Sequence, residues 1–125
     1  MISPSEAIEI HTIVIEKFGG SKGIRDQNLL ESALERPFQT FENAELYPTP
    51  VKKSAAILES ILMNHPFIDG NKRTGYILFR LLLNYYHLDI KASQDDKYDF
   101  VLSVTTGERK YDEICTWIEE RIVTV

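Results

Sequence analysis

The stretch Tyr76–Leu83, YILFRLLL, constrains the fold more than any other part of the chain. Apart from Arg80, every residue in it is apolar, so a helix formed here is apolar on nearly every face. Such a helix is stable in water only when other elements surround it. The sequence therefore predicts a fold in which further helices pack around this central one.

Five further helices are indicated by apolar residues at helical spacing, together with capping residues and helix breakers. The first begins with a capping box, Ser3 with Glu6, and the second follows Asp26 as N-cap. The third ends before Pro66, because the residue preceding a proline is pushed out of the α region. The six expected helices cover roughly residues 4–18, 27–34, 50–65, 72–83, 94–104 and 110–122.

The segment Pro37–Pro50, PFQTFENAELYPTP, differs from the helical segments around it. It contains three prolines and no sustained helical stripe, so we expect a loop with at most a short β-hairpin. The predicted fold class is therefore all-α: a single domain over residues 1–125, with about six helices, this loop and almost no sheet.

Composition and charge exclude several classes of protein. The single cysteine, Cys115, excludes an intramolecular disulfide and suits a reducing cytoplasm. The net charge is −5 and no run of basic residues is present, which argues against direct nucleic-acid binding. No apolar stretch is long enough to span a membrane, and MISPSEAIEI lacks the pattern of a secretory signal. We therefore expect a cytoplasmic protein without a membrane or nucleic-acid partner.

The segment His65–Gly75, HPFIDGNKRTG, carries polar chemistry at the start of the central helix. Gly70 lets the backbone approach a ligand, and the amides near Gly70, Asn71 and Lys72 lie at a helix N-terminus, where anions bind. Lys72 adds a point charge, and Arg73 adds a planar pair of donors for phosphate oxygens. The segment GNKRT lacks the two glycines of a Walker A loop, so a P-loop nucleoside triphosphatase is excluded.

His65 and Asp69 complete the chemistry of this segment. Asp69 is a hard oxygen ligand, and one carboxylate with substrate phosphates is the usual way in which proteins hold Mg²⁺. His65 has a pKa range suited to a general base. A base, a magnesium ligand and an anion site are the minimal set for transferring a phosphorus group to a hydroxyl.

The segment HPFIDGNKRT resembles the signature of the Fic/Doc family, specifically its Doc (death-on-curing) toxin branch. The segments ISP, GGSKGIRD, LLESALERP and TTGE lie where Doc-like proteins carry similar ones. The resemblance extends over nearly the whole chain and implies a compact helical fold with a small flap.

The resemblance also implies roles for single residues. His65 corresponds to the base that activates the target hydroxyl, and Asp69 to the magnesium ligand. Gly70–Lys72 correspond to the loop that binds the phosphates of ATP, and Arg73 to the phosphate-binding arginine. Phe67 corresponds to the aromatic residue that anchors the loop in the core. The segment PFQTFENAELYP, residues 37–48, lies where the family has its flap, which holds part of a target protein in extended form by β-augmentation.

Lys72 distinguishes the branches of the family. AMP-transferring members resemble HPFxxGNGR, in which a glycine at the position of Lys72 leaves room for a second phosphate site. A lysine there is associated with inverted nucleotide binding, which directs the γ-phosphate toward the target. The resemblance thus implies a protein kinase in which His65, Lys72 and Arg73 are catalytic, elongation factor Tu is the target, and translation is arrested.

The resemblance further implies a type II toxin–antitoxin pair. The inhibitory pattern [ST]xxxE[GN] of many Fic proteins does not occur in this sequence, which favours inhibition by a separate antitoxin chain. Two alternatives stay open. Pro66 and Gly70 are Fic-like residues, so AMP transfer is the first alternative, and a non-catalytic antitoxin-binding module is the second.

Other chemistry-bearing residues are expected to be structural. Arg80 lies seven residues after Arg73 on the same helix face, and pairing with an acid at the edge of the core is its expected role. His11 and His87 have no neighbouring ligands at metal spacing. Cys115 is expected to be a small core residue.

Overall fold

The computed structural model describes residues 1–125 and has six helices and two pairs of short strands. The helices are α1 Pro4–Phe18, α2 Gln27–Glu35, α3 Pro50–Asn64, α4 Asn71–Tyr85, α5 Gln94–Thr105 and α6 Tyr111–Glu119. A 3₁₀ turn, Arg36–Phe38, follows α2. The strands are β1 Thr40–Phe41, β2 Ala44–Glu45, β3 Leu88–Ile90 and β4 Ile122–Thr124. The prediction of a predominantly helical fold with a small flap is confirmed.

Helices α3 and α4 form the centre of the fold. Leu78, Phe79, Leu82 and Leu83 of α4 are buried, as the apolar stretch predicted. Gly75 allows α3 to approach α4 closely, because a Cβ at this position would lie 3.0 Å from Cγ2 of Ile61. Burial of one large apolar side chain contributes about 1.5–3 kcal/mol, so this central pair supplies a large part of the stability. None of the helices combines the length and apolar character needed to cross a membrane.

The predicted caps of α1 and α2 are confirmed. The Ser3 hydroxyl accepts a hydrogen bond from the Glu6 N–H at 3.2 Å, and the Glu6 carboxylate accepts one from the Ser3 N–H at the same distance. The carboxylate of Asp26 accepts a hydrogen bond from the Leu29 N–H at 3.0 Å. These caps bind amides that the first turn of a helix leaves without a partner.

The C-terminal segment differs from the prediction. Helix α6 ends at Glu119 and not at Ile122, and residues 122–124 form β4, which pairs antiparallel with β3. The β-branched run Ile122-Val123-Thr124 favours an extended conformation, and Leu88–Ile90 supplies the partner strand. Helix α4 also begins at Asn71, slightly earlier than expected.

The flap contains the short hairpin that the sequence allowed. Strands β1 and β2 pair antiparallel around Glu42 and Asn43, which both have positive φ, as a two-residue hairpin turn requires. Lys53 of α3 anchors the flap to this helix. Its buried ammonium group lies 2.7 Å from a carboxylate oxygen of Glu45 and also donates a hydrogen bond to the Tyr47 carbonyl.

Candidate functional site

The polar segment predicted from sequence forms the loop between α3 and α4. Helix α3 ends at Asn64, and His65 follows it in the left-handed conformation, with φ 49°. Phe67 is buried in the core, where its ring stacks on that of His11 with 4.0 Å between centroids. The loop is thus anchored at Phe67, in the way the resemblance implied, while the His65 side chain is exposed.

Asn71 holds the loop in shape through its side chain. Its Oδ1 accepts a hydrogen bond from the Phe67 N–H at 3.0 Å, and its Nδ2 donates one to the Phe67 carbonyl at 2.9 Å. The side-chain amide is therefore engaged within the protein. Only the backbone N–H of Asn71 is left for an anion, as part of the first turn of α4.

Asp69 presents an ionised carboxylate beside the loop. Its carboxylate accepts hydrogen bonds from the backbone N–H groups of Ser21 at 3.1 Å and Gly70 at 2.9 Å. These two bonds lower the pKa of Asp69. The buried His11 holds the backbone of this residue, because its Nε2 lies 2.8 Å from the Asp69 carbonyl oxygen. His11 is thus structural, as expected, and it holds the loop.

The first turn of α4 supplies positive charge. Gly70 is its N-cap, with φ 75°, and no side chain caps the turn, so the amides that follow keep their free donors. Lys72 and Arg73 are both exposed. The Arg73 guanidinium lies over the Phe18 ring, 4.2 Å from its centroid, which restricts where this charge can move.

These groups line one cleft of about 780 Å³. His65, Asp69, Gly70, Asn71, Lys72 and Arg73 all contribute to its wall. Asp69 is the only carboxylate of the wall, and no cluster of three or more potential metal ligands occurs in the fold. A single ionised carboxylate beside donors for phosphate fits Mg²⁺ shared between protein and nucleotide, and does not fit an all-protein metal cage.

The sequence did not indicate that two further parts of the chain belong to the site. One face of α5 forms the opposite wall of the cleft, with Lys97, Tyr98 and Val101 among its lining residues. The segment 20–26 lies along the loop, where the Ile68 N–H donates to the Gly23 carbonyl at 3.1 Å. Both regions come close to the motif only through the tertiary fold, so spacing along the chain does not reveal them.

Arg80 lies outside the site. Its guanidinium binds both carboxylate oxygens of Asp89 in β3, at 2.9 Å and 2.6 Å. The expected pairing with an acid at the edge of the core is confirmed, and Arg80 does not line the cleft. Cys115 is buried in the core, also as expected.

The chain is similar to known proteins over most of its length. A family model described as the Fic/DOC family matches residues 1–83, which extend from the N-terminus through most of α4 and include the whole loop. A protein named Toxin Doc, from Mycolicibacterium smegmatis (strain ATCC 700084 / mc(2)155), is 34% identical over 99 residues. That match covers 78% of this chain and 76% of the relative. The chain therefore belongs to the Fic/Doc family.

Proposed function

We propose that this protein is the toxin of a type II toxin–antitoxin pair and a protein kinase that transfers the γ-phosphate of ATP to a serine or threonine of a target protein. The observation that carries the proposal is the cleft, in which an exposed histidine, one ionised carboxylate and a positively charged helix start lie together. Membership of the Fic/Doc family and the similarity to a protein named Toxin Doc support it.

The proposed reaction begins at His65. Its imidazole takes the proton of the target hydroxyl, and the hydroxyl oxygen forms a bond to the γ-phosphorus while the bond to the β-phosphate oxygen breaks. ADP leaves and the proton stays on His65 until solvent removes it. Lys72, Arg73 and the free amides of α4 stabilise the negative charge of the phosphates. Asp69 would hold Mg²⁺, which neutralises phosphate charge when bound.

Lys72 supports transfer of phosphate and not of AMP. It lines the cleft in the first turn of α4, where AMP-transferring relatives have a glycine. A lysine side chain fills the space that a glycine would leave for a second phosphate site. AMP transfer is the alternative, since Pro66 and Gly70 match the AMP-transferring branch.

The flap is the proposed target-binding element. Its two strands pair only with each other, so their outer edges are free to bind an extended segment of another protein. The Phe41 side chain is exposed at this edge and is available for such contact. Elongation factor Tu is the proposed target, which places the activity in the cytoplasm, and a separate antitoxin chain is the proposed inhibitor.

One variant distinguishes an enzyme from a non-catalytic binding module. His65→Ala removes the base but keeps the Cβ of residue 65, and the other residues that line the cleft are unchanged. We expect it to abolish both label transfer from ATP and growth arrest in cells that lack the antitoxin. Growth arrest by the variant at the wild-type level would contradict catalysis and favour the binding module.

A further inference from the structure

We propose that Arg25 is a positioning residue for His65. It binds backbone carbonyl groups at the end of α3 and so keeps the imidazole at the cleft. The proposal rests on the proposed function only in assigning catalysis to His65. The effect of Arg25 on the backbone conformation of His65 does not depend on catalysis and can be measured by NMR.

His65 occupies a position that needs support. It is the C-cap of α3 and has φ 49° and ψ 60°, a left-handed conformation that side chains with a Cβ rarely adopt. Helices usually end on glycine at such a position. A glycine here would remove the imidazole from the cleft, so the conformation of His65 has to be stabilised by its neighbours.

Arg25 supplies that support through three consecutive carbonyl groups. Its Nε donates to the His65 carbonyl at 2.6 Å, and its Nη2 donates to the Asn64 carbonyl. Its backbone N–H donates to the Pro66 carbonyl at 2.7 Å. One residue thus fixes the last residue of α3, the left-handed residue and the proline that follows.

The charge of Arg25 is also suited to this position. The C-terminus of a helix carries partial negative charge on carbonyls that have no partner within the helix. Arg25 forms no ion pair with a carboxylate, so its guanidinium is committed to these carbonyls. The side chain is exposed and fills no space in the core. We therefore expect its loss to disturb the loop and to leave the fold intact.

The planar guanidinium explains why arginine, and not lysine, fits here. Its Nε and Nη2 point in parallel and can bind two neighbouring carbonyl oxygens at once. A lysine would keep the charge and form one such bond at a time. Arg25→Lys should therefore lie between the wild type and Arg25→Ala in every measurement.

The first experiment measures the conformation of His65 without reference to activity. The chain has three histidines, so NMR of protein labelled at histidine gives three resolvable residues. His87 also has a left-handed backbone, with φ 60°, and serves as an internal reference. We expect Arg25→Ala to move the Cα shift of His65 toward its random-coil value while that of His87 stays unchanged. Lys22→Ala, which removes a cation of the same loop that pairs only with Glu16, is the matched control.

The second experiment measures label transfer from ATP by the same variants. We expect Arg25→Ala to lower kcat at least tenfold with little change in the KM for ATP, and Arg25→Lys to restore part of it. Unchanged His65 shifts together with unchanged kcat in Arg25→Ala would overturn the proposal, and so would equal shift changes at His65 and His87. If the wild type itself transfers nothing, the proposed function fails, and the NMR result alone decides the role of Arg25.

Discussion

The guanidinium of Arg73 lies over the ring of Phe18, so this contact joins the end of α1 to the start of α4, the proposed phosphate-binding element. The contact holds a long, exposed side chain near the cleft before any nucleotide binds. A cation–π contact at an exposed site is worth about 0.5–1 kcal/mol, which corresponds to roughly a two- to fivefold change in affinity.

We therefore expect Phe18→Ala to weaken ATP binding about two- to fivefold. Calorimetric titration with a non-hydrolysable ATP analogue measures the effect. Ile13→Ala is the matched control, because Ile13 is an exposed apolar residue of the same helix. Equal affinities in Phe18→Ala and the wild type would show that the Arg73 contact does not prepare the site.

A substitution of Lys53 tests whether the target protein is modified efficiently only when the flap is fixed to α3. Its buried ammonium group binds Glu45 and the Tyr47 carbonyl, so Lys53→Met should release the flap. We expect faster proteolysis within residues 39–47, at least fivefold slower modification of the target protein, and unchanged ATP affinity. Glu45 is about half exposed, so its carboxylate can return to water when Lys53 is replaced, and we expect the loss of stability to be concentrated in the flap.

The neighbouring Lys52 provides the control for this prediction, because its side chain is exposed and only its backbone N–H, which the substitution keeps, bonds to the flap. Lys52→Met should behave as the wild type in all three measurements. Normal target modification by Lys53→Met would argue that the flap does not take part in target binding.

Asp69 should titrate at unusually low pH. Its hydrogen bonds from the Ser21 and Gly70 N–H groups lower its pKa below the ordinary value of about 3.9. The ionised form therefore stabilises the fold above the unfolded pKa, and that contribution is lost as the pH falls through the folded pKa. An NMR titration of the carboxylate carbons should give Asp69 a midpoint below 3.9, and a midpoint at or above that value would contradict the loop geometry.

The ion pair between Arg80 and Asp89 should contribute to stability and not to activity. Its bidentate hydrogen bonds lower the pKa of Asp89. Allowing for the partial exposure of Arg80, we expect Asp89→Asn to lower the free energy of unfolding by about 1 kcal/mol at pH 7. Because the folded pKa is depressed, this difference should shrink below about pH 4, near the unfolded pKa.

Urea unfolding at pH 7 and pH 3 measures this difference. Lys22→Met removes an exposed ion pair at 3.8 Å and should change stability by less than about 0.5 kcal/mol. A loss of kcat in Asp89→Asn without a loss of stability would place Arg80 in the catalytic machinery, against its position outside the cleft.

The helical part of the fold was predictable because its determinants are local. Ser3 with Glu6, and Asp26, satisfy amides within one turn, and the apolar stretch Tyr76–Leu83 decides by itself that α4 is central. The pairing of β3 with β4 was not predictable. It joins residues 88–90 to residues 122–124, and the β-branched run at 122–124 does not identify a partner strand more than thirty positions earlier in the chain.

The candidate site was predictable only in its contiguous part. His65 and the residues 68–73 lie close together along the chain and line one cleft. Arg25 and His11 hold the loop from segments 40 and 58 positions away along the chain. The segment GGSKGIRD around Arg25 resembles the family, but neither it nor the sequence around His11 indicates a contact with the loop. The wall formed by α5 was missed for the same reason.

The position of the transferred label tests the central proposal most directly. The purified protein would be incubated with Mg²⁺, elongation factor Tu and ATP labelled at either the γ- or the α-phosphate, with His65→Ala as the inactive control. We predict label on the target from γ-labelled ATP alone, a mass gain of one phosphate, and no label with His65→Ala. Label from α-labelled ATP with a mass gain of one AMP would contradict phosphate transfer and make this protein an AMP transferase despite Lys72.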